Sequence, residues 1–406
     1  MREGWSSTAL KNVCTVDKAK HSGTTLPYVG LEHIESGTGK FIGSLAPAMV
    51  KSTTFSFTAS HVLYGRLRPY LNKVLLPEFD GHCSSEIFPL RVESSLDRRF
   101  LYYWLTWEPV VKEIDSTSTG ARMPRANINK LLEFELPLPS LPEQKRIVAI
   151  LDEAFAGIAI AVANTEKNLA NARELFESYL NAVFSRREEG WIDGPLKEFS
   201  KCVSTGPFGS MLHKSDYVSV GVPLVNPINM VDGKIQPDVR KMISLETRER
   251  LQSYVLQAGD IVIARRGEIG RCAVVTKEQS GWVCGTGCFF VRPENTIDSD
   301  FLAYMLRSAR YRLELERLSS GATMLNLSNA ALSNLGVSVP KLAQQRKMVD
   351  QVSELLVQCQ EVQSIYRSKL HALSELKQSM LQKAFSGELT AGPVSLNDAL
   401  KEELVT

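Results

Sequence analysis

The sequence predicts an α+β protein: two pseudo-repeated, β-rich mixed α/β domains separated by two long helices that form an antiparallel coiled coil. Three observations predict the repeated domains and the paired long helices. The second half of the 406-residue chain repeats the first. Each copy ends in a sustained heptad pattern. Everything ahead of that pattern is cut into short β-rich runs.

The repeat is read directly. "CSSEIFPLR" at Cys83 aligns with "CGTGCFFVR" at Cys284, and "FLYYWL" at Phe100 with "FLAYML" at Phe301. "TGARM" at Thr119 aligns with "SGATM" at Ser320, and "LNAVFS" at Leu180 with "LQKAFS" at Leu381, all 201 residues apart. Earlier in each copy the interval is smaller. "PYVGLEHIESG" at Pro27 pairs with "PLVNPINMVDG" at Pro223, and "WSSTALK" at Trp5 with "WIDGPLK" at Trp191. A drifting interval marks insertions, which surface loops tolerate. A constant interval marks a segment of fixed length. The expected layout is a first globular domain at 1–139, a spacer helix at 140–188, a second domain at 189–340, a second spacer helix at 341–389 and a tail at 390–406.

The first helix is expected from Gln144, Val148, Leu151, Phe155, Ile158, Val162, Thr165, Leu169, Ala172, Phe176, Tyr179 and Val183, spaced alternately by four and three. The second follows from Val349, Val352, Leu356, Cys359, Tyr366, Leu370, Leu373 and Met380. Its polar interruptions, Gln363 and Lys377, are each preceded by an apolar neighbour, Val362 and Leu376. Pro142 suits a first helical turn, and Gly190 and Gly387 stand where helices stop. A helix of ~45 residues is about 67 Å long, and such a helix needs a partner. In the globular parts "KVLLPEF", "GDIVIARRG", "GRCAVVT" and "GCFFVRP" read as strands. "DRRFLYYWLTWEPVVKEI" and "SDFLAYMLRSARYRLELERL" read as one amphipathic helix per domain.

Composition narrows the function. Net charge is +2, so a nucleic-acid contact must come from local patches. No apolar run approaches the ~18 residues of a membrane span, and "MREGWSSTALKNV" lacks the apolar stretch of a signal peptide. Seven cysteines without framework spacing fit reduced thiols in a cytoplasm.

Motifs for catalysis are incomplete. "SGTGKF" at Ser36 lacks the hydroxyl residue and upstream glycine of a phosphate loop. "VNPINM" at Val225 is similar to the Asn-Pro-Pro-Tyr loop of amino-methyltransferases, with Ile228 and Asn229 in place of the proline and the stacking aromatic. Cys284 and Cys288 have no second pair at zinc spacing and read as buried thiols, so neither metal nor cofactor is expected. His61 and His82 beside Cys83 lack an orienting carboxylate and read as surface histidines. Glu78, Asp80 and Glu86 lack the Glu-x-Lys partner of a metal-dependent nuclease.

Basic residues in loops remain. "HVLYGRLRPYLNKVLL" carries Arg66, Arg68, Tyr70, Asn72 and Lys73, and "GARMPRANINK" adds Arg122 and Arg125. The second copy offers Ser210, His213 and Lys214 in "TGPFGSMLHKSDY" and Arg265, Arg266 and Arg271 in "IARRGEIGRCAVVTK". Cations interleaved with Gly, Tyr and Asn suit phosphate gripping and base reading. They occupy matching places in both copies.

With these stretches in hand, the chain resembles the specificity subunits of type I restriction–modification systems. The marks are "LPLPSLPEQKRIVAILDEAF" with a helix ending "LNAVFS", its second copy ending "LQKAFSGEL", and "GRLRPYLNK", "GPFGSMLHKSDY" and "RRGEIGRCAVV" with "GWVCGTGCFFVRP". The resemblance spans nearly the whole chain. It implies two target-recognition domains, each reading half of a split site on double-stranded DNA, and two helices that set the gap and bind two methyltransferase subunits. Restriction subunits would join that core in the cytoplasm. The chain itself would be non-catalytic, within a complex acting as adenine methyltransferase and ATP-dependent endonuclease. One departure is "GATMLNLSNAA", which lacks the basic residues of "GARMPRANINK". Two other readings stand beside it: a DNA-recognition subunit of another restriction–modification type, and a coiled-coil scaffold without a DNA role.

Overall fold

The computed structural model describes residues 2, 4–23, 25–48, 50–120, 122–185, 189–208, 211–238, 240–321 and 325–391. The chain forms two compact units, one of residues 1–166 and 368–406, the other of 167–367. Neither unit is one sequence repeat. Each combines a globular domain, the start of the long helix that leaves it and the end of the other long helix.

In the first unit β1 (Ser6–Ala9), β2 (Cys14–Val16), β3 (Tyr28–Val29), β4 (Thr54–Phe57), β5 (Val62–Gly65), β6 (Val74–Leu75), β7 (Gly81–Ser84) and β8 (Ile87–Val92) come first. They are followed by α1 (Arg98–Thr106), α2 (Glu108–Ser116), α3 (Ile128–Leu132) and β9 (Glu135–Leu138), which leads into α4 (Leu141–Ser185). One antiparallel sheet has the order β2-β8-β5-β6, and another has β3-β7-β4 with β3 and β7 parallel. Every residue of β5 is buried, as an inner strand covered on both faces requires. Pairing of β1 with β9 closes the domain at its two ends.

The second unit repeats this plan. After β10 (Ile192–Pro195) and β11 (Ser200–Thr205) come β12 (Tyr217–Val218), β13 (Val222–Val225), β14 (Met230–Val231), β15 (Lys234–Ile235), β16 (Met242–Ile243) and α5 (Leu245–Arg250). Then follow β17 (Ile261–Ala264), β18 (Cys272–Val274), β19 (Val283–Cys284), β20 (Cys288–Pro293), α6 (Ser299–Arg307), α7 (Ala309–Arg317), α8 (Asn329–Ser333), β21 (Gly336–Val339) and α9 (Leu342–Ser386). The sheet β11-β20-β17-β18 matches β2-β8-β5-β6, the parallel pair β13-β19 matches β3-β7, and β10-β21 matches β1-β9. The β14-β15 hairpin and α5 fall where the sequence interval drifts.

The expected single amphipathic helix is two helices in each domain. Trp107 and Ser308 are extended, with ψ of 128° and 147°, and separate α1 from α2 and α6 from α7. The cause is long-range. A new helix start exposes backbone N–H groups, and a long helix supplies the acceptor. Gln378 Oε1 accepts from Glu108 N at 2.9 Å, and Asn181 Oδ1 accepts from Ala309 N.

Both long helices are 45 residues. In the first unit Ile147, Val148 and Leu151 share a core with Leu381, Ala384 and Phe385. In the second, Phe176, Leu180 and Phe184 share one with Val352 and Cys359. Within each unit the start of one helix therefore packs on the end of the other, in antiparallel sense. Full burial of a residue such as Leu151 contributes roughly 1.5–3 kcal/mol. The remaining seam positions Phe155, Ile158, Val162, Leu169, Val349, Leu356, Tyr366, Leu370 and Leu373 are half-buried. In the first unit a cleft of ≈ 1030 Å³ is lined by Ile158, Val162, Leu370 and Leu373 among others. At Gln363 the heptad frame runs through the polar member. At the first interruption Gln363 is half-buried and Val362 exposed, whereas at the second Leu376 and Lys377 are both half-buried.

Two expectations change. Averaged over 18 residues, α4 reaches a hydropathy of 1.8 and is long and apolar enough to cross a membrane. The alanines at 154, 156, 159, 161 and 163 raise that average with little bulk. His61 and His82 are buried, not at the surface. His82 bonds the Thr54 hydroxyl (3.1 Å) and the Ala48 carbonyl (3.0 Å), and burial lowers its pKa. The neighbouring Cys83 thiol is pushed up to about 12 by burial, so it is a poor nucleophile.

Candidate nucleic-acid interface

In the first unit the site grows from the end of β5. Gly65 is followed by Arg66, whose N–H donates to the Glu86 carbonyl (2.9 Å) and whose carbonyl accepts from Ala126 N (2.8 Å). Arg68 N donates to the Pro124 carbonyl at 2.7 Å. Three segments distant in sequence are thereby laced together. Arg68 and Asn72 flank the 3-10 turn Pro69–Leu71 in left-handed conformation, with φ of 51° and 46°. Such backbone costs about 1–2 kcal/mol per residue, and it clusters at functional sites. The turn presents Arg68 and Tyr70 to solvent. Arg122 is exposed on the loop closed by mutual backbone bonds of Thr119 and Arg125.

The expected free cations at 66 and 125 are instead paired with one carboxylate. Arg66 Nε donates to Glu86 Oε2 at 2.9 Å. Arg125 donates to Glu86 Oε1 through Nη2 at 3.0 Å and through Nε at 3.1 Å. The Arg66 guanidinium also lies over the Phe88 ring, 5.3 Å from its centroid. Burial raises the Glu86 pKa, but the bonds from Arg125 and Arg66 and their charges outweigh it and hold the carboxyl below its ordinary value. Side-chain exposure of 32% for Arg66 and 40% for Arg125 keeps the cluster open to a ligand. Asn72 and Lys73 turn inward: Asn72 Nδ2 donates to the Thr106 carbonyl (3.3 Å) and Lys73 Nζ to the Leu31 carbonyl (2.7 Å).

The second unit builds the same frame with different chemistry. Arg265 follows β17, its N–H donates to the Gly287 carbonyl (3.0 Å), and its carbonyl accepts from Leu327 N (3.0 Å). Its guanidinium lies over the Phe289 ring, again 5.3 Å from the centroid. The partner is neutral: Asn326 Oδ1 accepts from Arg265 Nε at 3.1 Å and from Arg266 Nε at 3.5 Å. Burial, then the Arg266 charge, lowers the Arg265 pKa. Arg271 is half-buried and bonded to the fold. It bonds Glu268 (3.0 Å) and the carbonyls of Pro227 (3.3 Å) and Met230 (3.4 Å), bracing the "NPIN" turn. His213 and Lys214 are exposed at a separate turn, where Asp216 accepts from His213 N (2.6 Å) and pairs with Arg250 (2.7 Å). Ser210 lies outside the described residues.

The family model for the type I restriction modification DNA specificity domain matches residues 2–170 and 209–363. The chain belongs to that family. Among curated relatives it is 29% identical, over 185 residues, to the EcoDI specificity subunit of Escherichia coli, covering 44% of this chain and 41% of that one. It thus spans about two-fifths of that relative's length. The MjaVIII specificity subunit of Methanocaldococcus jannaschii is 23% identical over 397 residues, 89% of this chain and 86% of the relative. Among solved structures, a chain from a type I R-M system superposes with a TM-score of 0.80 at 23% identity, covering 96% of this chain and 99% of that chain. At that identity the likeness concerns the fold.

Sequence reasoning missed two kinds of residue in this family member. Glu86 and Asn326 set the electrostatics of the arginine turns. Gln144 and Gln345 set the helix starts. Gln144 is fully buried, accepts from Asp97 N (2.7 Å) and donates to the carbonyls of Ser95 (3.0 Å) and Pro139 (2.9 Å). Gln345 does the same with Asp298 N (2.8 Å), Thr296 (3.0 Å) and Pro340 (2.8 Å). Gln144 is thus no seam residue: it ties α4 to the loop that caps α1. The signal was present in the repeated "PEQKR" and "AQQRK".

Proposed function

We propose that this chain is the sequence-reading subunit of a type I restriction–modification complex. Two target-recognition domains, 1–139 and 189–340, each read one half of a bipartite site on double-stranded DNA. The spacer helices, 140–188 and 341–389, set the gap and dock two methyltransferase subunits, which restriction subunits join. The chain contributes recognition, and its partners contribute methyl transfer and cleavage in the cytoplasm. The observation that carries this reading is the twofold match to a DNA specificity domain, with each copy presenting an arginine turn over a phenylalanine. Within those turns Arg66, Arg68, Tyr70, Arg122, Arg125, Arg265 and Arg266 are the proposed contacts, with His213 and Lys214 on a separate turn of the second domain.

The test is the methylation pattern of the host genome with and without the chain. A bipartite methylated motif should disappear with it; an unchanged pattern refutes the reading. A sharper version inserts seven residues after Ala172 and seven after Leu373, keeping the heptad frame. Each helix lengthens by about 10.5 Å, or about three base pairs. The half-site bases should persist while the gap grows. Persistence of the original gap would show that the helices are not the spacer.

A further inference from the structure

We propose that Glu86 is a specificity-determining positioning residue of the first recognition domain. Its carboxylate holds Arg66 and Arg125 as one oriented pair and offsets part of their charge, so this pair reads the first half-site with stricter geometry, and with less charge, than two arginines without a carboxylate would. This rests on the DNA-reading role proposed above.

A carboxylate beside a polyanion lowers affinity, so at a DNA-facing turn its benefit must lie elsewhere. The geometry supplies one. Reading guanine through its O6 and N7 needs a guanidinium whose plane and rotation are fixed. The Phe88 ring backs the Arg66 guanidinium on one side, and the Glu86 bond to Nε restricts its rotation. Because Glu86 engages Nε, the terminal nitrogens of Arg66 are left for an outside acceptor. The same carboxylate receives Arg125 through two nitrogens, so both arginines share one anchor. Charge-assisted bonds of this kind are about twice as strong as neutral ones.

The second domain serves as an internal control. Backbone frame and ring contact recur there, but Gly287 stands at the place of Glu86 and Asn326 at that of Arg125. A side chain at Gly287 would run into the Pro227 ring, with Cβ 2.8 Å from Cδ. The "NPIN" turn thus excludes a carboxylate from this position. Arg265 is oriented by a neutral amide and keeps its whole charge.

The test uses the complex purified from its own host. Bound duplexes are selected from a random library by wild type, Glu86→Gln and Glu86→Asp, and affinity for the selected site is followed against salt. In Glu86→Gln, preference at one or two base pairs of one half-site should fall about tenfold, with the other half-site unchanged. The slope of log affinity against log salt should steepen by about 0.9, the share of one freed cation. Glu86→Asp, which keeps the charge, should restore most of the preference. A Glu86→Gln motif identical to wild type overturns the inference, as does equal relaxation of both half-sites with a lowered unfolding temperature, which marks a merely structural role. If wild type itself selects no bipartite motif, the DNA-reading proposal fails first, and this inference with it.

Discussion

The arginines that leave β5 and β17 share their backbone anchors but not their electrostatics. Arg66 and Arg265 leave matching strands, bond matching carbonyls and lie over matching rings. Yet one answers to a carboxylate and the other to an amide. By contrast Gln144 and Gln345 are alike to the last hydrogen bond. What attaches a recognition domain to its helix is held constant, and what faces outward is varied on a constant frame. The difference separates assembly from recognition within a single repeat.

The largest expected effect tests the constant part. Gln144→Ala and Gln345→Ala would each strand a buried N–H and two carbonyls. We expect each to destabilise by about 3 kcal/mol, and by similar amounts in chemical unfolding. A mild loss in one unit and a severe loss in the other would break the equivalence of the two helix starts.

The next effect tests the varied part. Arg265→Ala should weaken binding of the cognate duplex by about 1–3 kcal/mol, since the Arg265 charge is not offset. Arg66→Ala should cost less in affinity, because Glu86 already cancels part of its charge, and should cost more in base preference. Competition binding with single base-pair variants separates the two. A larger affinity loss for Arg66→Ala would invert the proposed asymmetry.

The architecture was legible because its signals are periodic or repeated: the interval from Cys83 to Cys284, the alternation of fours and threes, and the strands that became β6, β17, β18 and β20. Gly387, directly after α9, adopts a positive φ of 86°, as does Gly190, five residues past the described end of α4, with φ of 92°. The site was legible only as a location. In the sequence Glu86 reads only as a carboxylate without the Glu-x-Lys partner of a nuclease, and nothing local links it to Arg66 or Arg125, 20 and 39 residues away. The helix breaks at Trp107 and Ser308 were hidden for the same reason. Their cause is an amide on a helix hundreds of residues away in sequence for one and more than a hundred for the other. Periodicity reports what a segment does alone, whereas pairing of distant polar side chains is a property of the folded chain.

The smallest effect concerns the seam itself, where the units differ again. Phe176 of α4 and Lys377 of α9 occupy matching positions. Phe176 is buried in the second unit's core. Lys377 is half-buried in the first unit, with Nζ 5.3 Å from the Phe155 ring centroid, and burial lowers its pKa from 10.5. Its ammonium therefore opposes folding at neutral pH. Lys377→Met keeps the length, removes the charge and retains a favourable contact with the ring. Stability should rise by on the order of 1 kcal/mol, which is about 2–4 °C in midpoint for a unit of this size. The pH dependence fixes the cause. The penalty on the wild type is fully present below the lowered folded pKa and fades as pH rises through it toward 10.5. The advantage of Lys377→Met should accordingly be largest near neutrality and shrink in alkali. A gap that stays constant with pH would assign the gain to packing alone, and a loss of stability would show that Lys377 is held by its contacts in net favour of the fold.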